Sequence, residues 1–288
     1  MSFVQAGDVR LACQQMGEGP DVVLVHGLAT NRAFWFATLA QSLRDRYRVT
    51  LFDLRGHGYS SRPERGYTAS DMAADIGAVI DRLDLAPAAI VAHSYGGGAA
   101  LEYALAAPER VRALSLLDVR INSLQPQQWL GDGARLTEFE KEMARADGRD
   151  WEAEPQLGLT FLESMARLRV QGFEPSNRDT FTPFGEGKSG LRGAKAFCRL
   201  MDETTMRADA LAPGSDRETI ARLQLPLQLI YGENSHNLPS GEALRACLPQ
   251  AEYHCVADAG HFFPLSHPET VAGLVGSFLD HHSSESAA

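Results

Sequence analysis

Ser94 is the residue whose surroundings in the sequence indicate chemistry most directly. It lies in the segment AHSYG, residues 92–96, between a run of apolar residues and a helix-like stretch of small residues. A strand that turns abruptly into a helix needs small residues two positions before and two positions after its apex, because the two backbones crowd there. Ala92 and Gly96 meet that requirement. Ser94 is therefore predicted to stand at the apex of the turn as a nucleophile.

A serine nucleophile needs a base that removes its proton, and His261 is the candidate. An imidazole suits this task at neutral pH. The chain has nine histidines, so the choice depends on position. His261 lies in DAGHFFPLSHPE, residues 258–269, just after the last predicted strand and just before the last predicted helix. Ser94 and His261 together predict covalent catalysis through the serine oxygen.

The segment HGL, residues 26–28, ends an early apolar run and would supply a loop beside the serine. The backbone N–H groups of Leu28 and Tyr95 are predicted to form an oxyanion hole, which stabilises the negative oxygen of an attacked carbonyl. The segment DLRGHGYS, residues 53–60, follows the next strand. Its Asp53 and its glycine pair are predicted to brace a turn and not to perform chemistry.

The elements that position these residues alternate between strands and helices. Strands are predicted at residues 9–14, 21–26, 48–52, 88–93, 111–117, 226–231 and 251–256. Helices are predicted at residues 33–45, 70–83 (with Ser70 as N-cap), 95–107, 240–247 and 268–281. This alternation predicts an α/β fold with a mostly parallel central sheet and helices on both faces. Ligands bind beyond the C-terminal ends of such strands, so residues at those ends are the ones to inspect.

The alternation stops between residues 119 and 222. This stretch has helical patches at residues 136–145, 159–170 and 193–201, and no pattern of a buried strand interrupts it. We therefore predict a core of residues 1–118 and 223–282 and an inserted helical cap of residues 119–222. The cap would cover the C-terminal ends of the strands. Residues 283–288 are predicted to be a flexible tail.

Five segments, taken in order, resemble the α/β-hydrolase fold superfamily: VLVHG, FDLRGHGYS, AHSYGG, LIYGEN and DAGHFFPLSHPE. They span nearly the whole chain and are highly specific together. The resemblance implies a helical cap inserted after the sixth strand. It also implies Ser94 as nucleophile, His261 as base, and the N–H groups of Leu28 and Tyr95 as oxyanion donors. A serine nucleophile in place of an aspartate disfavours the epoxide hydrolases and haloalkane dehalogenases of the superfamily.

The acid that would orient His261 is open at this point. The family usually has it as G-x-x-D, but the matching residues here read GENS, and Ser235 holds the aspartate position. A serine does not ionise at neutral pH. Asp118, which follows the strand of residues 111–117, is the first alternative, since some members of the superfamily have their acid there. Glu233 and Asp258 are further alternatives, and a triad without a conventional acid is the last.

Composition excludes several classes of function. Hydrophobic residues make up 44% and charged residues 22% of the chain, as in ordinary globular proteins. The formal net charge is −10, so binding to the phosphates of a nucleic acid is not expected. No apolar run approaches the length of a membrane span, and the first residues lack the pattern of a secretory leader. We therefore expect no membrane partner and a cytoplasmic location.

No cofactor and no metal site are predicted. The four cysteines have no CxxC spacing and are expected to be reduced, mostly buried thiols. The sequence has no HExxH motif, and no GxGxxG follows a strand in a dinucleotide-binding context. The expected partner is a small-molecule acyl substrate, and the oligomeric state is open.

The function predicted from these residues is a serine hydrolase that cleaves an ester or thioester through an acyl-enzyme. The acyl group is expected to be small to medium in size and largely apolar. Three alternatives stay open at this point. The acyl-enzyme would pass its acyl group to an alcohol or amine in an acyltransferase or cyclase. The same residues would serve a lyase or a carbon–carbon bond hydrolase, or would be retained in a non-catalytic ligand-binding scaffold.

Overall fold

The protein is built on one sheet of eight strands. The computed structural model describes residues 1–36, 38–85, 87–131, 136–174, 176 and 184–283. The strands are β1 (Ser2–Ala6), β2 (Val9–Met16), β3 (Asp21–Val25), β4 (Arg48–Phe52), β5 (Ala88–His93), β6 (Val111–Leu117), β7 (Leu227–Gly232) and β8 (Glu252–Val256). Their order across the sheet is β1-β2-β4-β3-β5-β6-β7-β8. β2 pairs antiparallel with β1 and β4, and the pairings from β4 to β8 are parallel, which confirms the predicted fold class.

The central strands bring the candidate site residues to one edge of the sheet. β5 and β7 are buried along their whole length, as expected for apolar strands covered on both faces. Val25 of β3 pairs with Ala92 of β5, and Leu117 of β6 pairs with Ile230 of β7. The residues that follow these four strands therefore leave the sheet at the same edge.

Twelve helices connect and cover the strands within the described residues. They are α1 (Ala33–Phe36), α2 (Leu39–Leu43), α3 (Ala69–Arg82), α4 (Tyr95–Ala106), α5 (Glu138–Asp147), α6 (Leu157–Val170), α7 (Gly187–Glu203), α8 (Met206–Asp209), α9 (Arg217–Ile220), α10 (Leu238–Cys247), α11 (Phe263–Ser266) and α12 (Pro268–Ser283). A one-turn 3₁₀ helix, Pro108–Arg110, precedes β6. None of the helices in the described ranges is long and apolar enough to cross a membrane.

Helices lie on both faces of the sheet, and each face has its own apolar core. One core joins α3, α4 and α10 to the sheet, with Ile76, Leu101 and Leu244 among its buried side chains. The other joins α2 and α12 to the opposite face, through residues such as Leu43 and Phe278. This burial on both sides explains why the central strands read as continuous apolar runs in the sequence.

Helices α5 to α9 occupy the chain between β6 and β7. No strand interrupts the described residues of this stretch, which contain only an isolated bridge between Gln128 and Gln156. Helix α6 packs against α7, and Glu163 of α6 forms an ion pair with Arg207 of α8. The stretch is therefore helical, as predicted, while its exact boundaries as a cap, residues 119–222, stay a prediction. Of the predicted tail, residues 284–288 lie outside the described residues.

Several local predictions were wrong. β1 was missed, because this five-residue edge strand buries only Val4 and has no apolar run. Helix α3 begins after Thr68 and not after Ser70, since Thr68 and Asp71 form a reciprocal capping box. The helix predicted at residues 33–45 is instead the two short helices α1 and α2.

The expectation of mostly buried cysteines holds for only two of the four. Cys13 and Cys247 are buried, whereas Cys198 is half-buried and Cys255 is exposed. Cys255 lies on β8, and this strand is at the edge of the sheet, where side chains are less covered.

Candidate active site

Ser94 stands at a strained turn between β5 and α4. Its backbone has φ 54° and ψ −127°, in a region that residues with a side chain rarely adopt. Its N–H donates to the carbonyl of Leu117 at 3.0 Å, which ties the turn to the end of β6. A Cβ on Gly96 would lie 2.2 Å from the carbonyl oxygen of His26, so no larger residue fits there. The crowding inferred from the sequence is therefore present, and it restricts the backbone at this turn.

The loop after β3 runs beside Ser94. A Cβ on Gly27 would lie 2.8 Å from the Cβ of Ser94, so the loop backbone is in near contact with the serine. Leu28 and Tyr95 border the same cavity as Ser94. Among the described residues, neither of their N–H groups donates to a backbone carbonyl. Both residues therefore keep an N–H group without a backbone partner in the described part of the chain, as an oxyanion donor requires.

His26 and Asp53 hold this loop in place. The buried His26 accepts a hydrogen bond from the N–H of Leu54 at 3.0 Å, and burial lowers its pKa well below the usual value, so it is neutral. Asp53 is buried and accepts from the N–H groups of Arg32 at 2.8 Å and Tyr59 at 2.9 Å. Asp53 therefore braces the turn, as the sequence predicted.

His261 is bound to Asp118. The distance from His261 Nδ1 to Asp118 Oδ2 is 2.6 Å, and the carboxylate is fully buried while the imidazole is 13% exposed. Burial alone would raise the pKa of Asp118, but hydrogen bonds from His261, the Gly232 N–H and the Ser235 hydroxyl outweigh it and lower the pKa. The Gly232 N–H donates to Oδ1 at 3.0 Å. Asp118 is thus held as a carboxylate, the form that orients an imidazole and stabilises its protonated form.

The other two candidate acids are not placed against His261. Glu233 and Asp258 are both exposed. The N–H of Asp258 donates to Oε2 of Glu233 at 2.9 Å, so these residues brace each other across the loops that follow β7 and β8. Of the alternatives drawn from the sequence, Asp118 alone has a hydrogen bond to His261 among the described residues.

Asn237 is a site residue that was not predicted from the sequence. Its Nδ2 donates to the backbone oxygen of Asp118 at 2.8 Å and lies 3.3 Å from Asp118 Oδ2. It also lies 3.2 Å from Nδ1 of His261. The backbone N–H of Asn237 donates to the hydroxyl oxygen of Ser235 at 3.1 Å. Its place just after GENS was a weak signal, because an asparagine at the start of a helix usually caps it.

His93 is a second residue that was missed. Its Nε2–H donates to the backbone oxygen of His261 at 2.9 Å, and the two rings lie 4.8 Å apart. Burial lowers the pKa of His93 to about 3, so the ring is neutral near neutral pH. His93 therefore connects the end of β5, next to the nucleophile, directly to the loop that holds the candidate base. The only signal in the sequence was a polar residue at the end of a buried strand.

A cavity of about 460 Å³ lies above these residues. It is lined by Ser94, Leu28 and His261 and by residues of the stretch between β6 and β7. Apolar side chains of that stretch include Ile121, Phe139, Leu159, Phe161 and Met165. Polar groups also line the cavity, and none of them was predicted from the sequence: Arg120, Glu140 and His236. Within the described residues, no group of three or more histidine, cysteine, aspartate or glutamate side chains is arranged to hold a metal ion.

Comparison with known proteins agrees with this architecture. The pimeloyl-[acyl-carrier protein] methyl ester esterase of Chromobacterium violaceum is 30% identical over 275 residues, which cover 94% of this chain and 99% of that protein. The 2-(acetamidomethylene)succinate hydrolase of Mesorhizobium japonicum is 36% identical over 115 residues, 40% of this chain and 41% of that protein. A meta-cleavage product hydrolase from Pseudomonas fluorescens IP01 shares the fold, with a TM-score of 0.69 and 24% identity over 98% of each chain.

These relatives are esterases and hydrolases, and this similarity supports a hydrolase activity for the present chain. The sequence model of the alpha/beta hydrolase fold matches residues 20–268, which include every candidate site residue described above. The chain therefore belongs to the alpha/beta hydrolase fold family.

Proposed function

We propose that the protein is a serine hydrolase that cleaves an ester or thioester through an acyl-enzyme. The observation that carries this proposal is the buried, ionised Asp118 bound to His261 at the edge of a cavity that also contains Ser94. A carboxylate in this position keeps the Nδ1 proton of the imidazole directed at itself. The other ring nitrogen, Nε2, is then free to act as a base.

In the proposed reaction, His261 removes the hydroxyl proton of Ser94 while the serine oxygen attacks the carbonyl carbon of the substrate. The N–H groups of Leu28 and Tyr95 bind the carbonyl oxygen as it becomes negative. The C–O or C–S bond of the leaving group then breaks, and His261 returns the proton to the departing alcohol or thiol. Water then attacks the acyl-enzyme while His261 removes a proton from the water. The products are a carboxylic acid and free Ser94.

The cavity supports a small to medium acyl group. Its volume of about 460 Å³ lies within the range of small-molecule sites. Much of its wall is apolar, through side chains such as Leu28, Leu159 and Phe161. A relative that covers nearly the whole chain is a methyl ester esterase, which favours an ester with a small alcohol.

Hydrolysis of p-nitrophenyl esters and of matched thioesters with acyl chains from acetyl to octanoyl tests the proposal. We expect turnover by the wild type, none by Ser94→Ala, and unchanged turnover by the control Ser42→Ala, whose hydroxyl donates to the Leu39 carbonyl at 2.9 Å on a helix away from the cavity. Intact-protein mass spectrometry after rapid quenching should detect the mass of one acyl group on the wild type and on Ser42→Ala, and none on Ser94→Ala. Turnover that persists in Ser94→Ala would contradict the proposal.

Acyl transfer and cyclisation by the same acyl-enzyme stay predictions. Product analysis in the presence of an added alcohol or amine separates them from hydrolysis, because a transferase releases the new ester or amide in place of the acid.

A further inference from the structure

Arg120 is a partly buried cation that borders the cavity. It follows Asp118 by two residues, at the start of the stretch between β6 and β7. Its Nε donates to the carbonyl of Gln125 at 3.0 Å and its Nη2 to that of Pro126 at 2.9 Å, while Nη1 lies 3.4 Å from Oε1 of Gln128. All three acceptors are neutral. The guanidinium is thus held firmly in place without neutralisation of its charge.

No carboxylate among the described residues forms an ion pair with Arg120. Burial lowers the pKa of its guanidinium to about 10, so it stays protonated at neutral pH. Acidic side chains do border the cavity, but they bind other groups: Glu140 accepts from Thr137, Glu102 from Ser215, and Asp209 from the N–H of Tyr67. An arginine presents five N–H donors in a planar fork, and the three bonds above leave others available.

Arg120 belongs to the same network as the candidate triad. Gln128, which lies beside Arg120, donates through Nε2 to the side-chain oxygen of Asn237. Asn237 in turn binds Asp118. His236 also faces the cavity, with its ring centre 5.1 Å from that of His261. Because Ser94 and Arg120 line the same cavity, a substrate bound at Ser94 would share that cavity with the uncompensated cation.

We propose that Arg120 binds a free carboxylate on the substrate, so that the preferred substrate is an anionic ester. This inference depends on the proposed function, because it names the substrate class of that same site. A planar guanidinium with unused donors matches a carboxylate, and bidentate hydrogen bonds to such an anion offset part of the cost of removing the charges from water. Arg120 and Ser94 line the same cavity, and its apolar side chains would accommodate the hydrocarbon chain that joins the carboxylate to the ester.

The test compares matched esters that differ only in charge. The anionic series is the methyl monoesters of dicarboxylic acids from succinate to suberate, and the neutral series is methyl esters of monocarboxylic acids of equal chain length. In a third series, the hydroxyl group of a hydroxy acid carries the acyl group, so that the free carboxylate lies on the alcohol side of the ester. We expect the wild type to have a higher kcat/KM for the best anionic ester than for its neutral match. The series that shows this preference identifies the side of the scissile bond that Arg120 faces.

The variant Arg120→Met should lose about 10- to 100-fold in kcat/KM for the anionic ester and little for the neutral one. Arg112→Met is the matched control, since the Arg112 guanidinium also donates to carbonyls, those of Pro87 and Asp21, at the opposite end of β6. This control should keep the preference for the anionic ester. An equal loss on both esters in Arg120→Met, or a wild type that prefers neutral esters, would overturn the assignment of Arg120.

Calorimetric binding to Ser94→Ala keeps this inference separate from the proposed function. We expect the anionic ester to bind Ser94→Ala and to bind the double variant with Arg120→Met at least tenfold more weakly. If binding depends on Arg120 but the wild type cleaves neither series, the hydrolase proposal fails and the anion site stands. If the wild type cleaves esters and binding does not depend on Arg120, the anion site fails and the hydrolase proposal stands. Thermal unfolding of both arginine variants identifies any loss that comes from misfolding.

Discussion

The hydroxyl of Ser235 donates a hydrogen bond to the carboxylate of Asp118. Ser235 holds the position at which this family usually has its acid, whereas Asp118 follows the neighbouring strand, β6. Because Leu117, the last residue of β6, pairs with Ile230 near the end of β7, the residues that follow the two strands meet beside His261. The carboxylate therefore comes from a different strand, and the serine that replaces the usual acid has become one of its hydrogen-bond donors.

The first prediction concerns the source of the carboxylate. Asp118→Asn should lower kcat by up to about 10⁴-fold, because an amide no longer fixes the imidazole in the right tautomer. The double variant Asp118→Asn with Ser235→Asp should recover part of the loss, since it returns a carboxylate to the same place from β7. Steady-state kinetics on one ester measures both.

Glu233→Gln and Asp258→Asn are the controls for this experiment and should retain activity close to wild type, because both residues are exposed and bind each other. A loss in either control comparable to that of Asp118→Asn would reassign the acid.

The second prediction concerns stability and pH. Bonds from His261, Gly232 and Ser235 hold the folded-state pKa of Asp118 below its unfolded value of roughly 3.9. The ionised carboxylate therefore stabilises the fold above that pH, and the contribution is lost as pH falls through the folded-state pKa. Ser235→Ala removes one donor and should cost about 1–3 kcal/mol at pH 7. Urea unfolding across a pH series should show that the difference in free energy of unfolding between Ser235→Ala and the wild type becomes smaller below about pH 4. A free-energy difference that does not change with pH would contradict this prediction.

The third prediction concerns His93 as a positioning residue. His93→Phe keeps an aromatic ring against Phe34, whose centre lies 4.8 Å away, but removes the donor to the His261 carbonyl. The loss of one buried hydrogen bond should lower kcat about tenfold and leave KM nearly unchanged. His93→Gln, which can still donate, should recover part of kcat. A smaller loss of kcat in His93→Phe than in His93→Gln would contradict this role, because it would show that ring packing and not the hydrogen bond matters.

The fourth prediction compares two neighbouring glycines. Gly96→Ala would bring a Cβ to 2.2 Å from the His26 carbonyl and should destabilise the fold by about 1–3 kcal/mol and lower activity. Gly98→Ala places its Cβ 3.9 Å from Ala69, an ordinary contact, and should stabilise α4 by about 0.5–1 kcal/mol. Chemical denaturation measures both. If Gly96→Ala and Gly98→Ala change the free energy of unfolding equally, the close approach of the backbones at Gly96 does not limit the size of the residue at this position.

Much of the fold could be predicted because its information is local. β4, β5 and β6 have the predicted bounds, since uninterrupted runs of apolar residues mark strands covered on both faces. β1 gave no such signal, because three of its five side chains are exposed and only Val4 is buried. The strand is held by its pairing with β2. The start of α3 was misplaced because both Thr68 and Ser70 can cap a helix. The reciprocal bond from Asp71 favours Thr68.

The candidate site could be predicted only where a residue's neighbours in sequence define its environment. Ser94 and His261 come with recognisable flanking residues. Asp118 was one of several alternatives, because the sequence cannot show which carboxylate meets His261. Asn237, His93 and Arg120 were missed, since each owes its place to contacts with residues distant along the chain.

Labelling with a fluorophosphonate, followed by peptide mass spectrometry, tests the central claim most directly. The reagent reacts with a serine that a neighbouring base has activated. We expect rapid labelling of wild type on the peptide that contains Ser94, none in Ser94→Ala, and labelling slowed by orders of magnitude in Asp118→Asn. Labelling of Asp118→Asn at the wild-type rate would contradict the role of Asp118. A folded wild type whose Ser94 stays unlabelled would contradict the account of this site as a serine hydrolase.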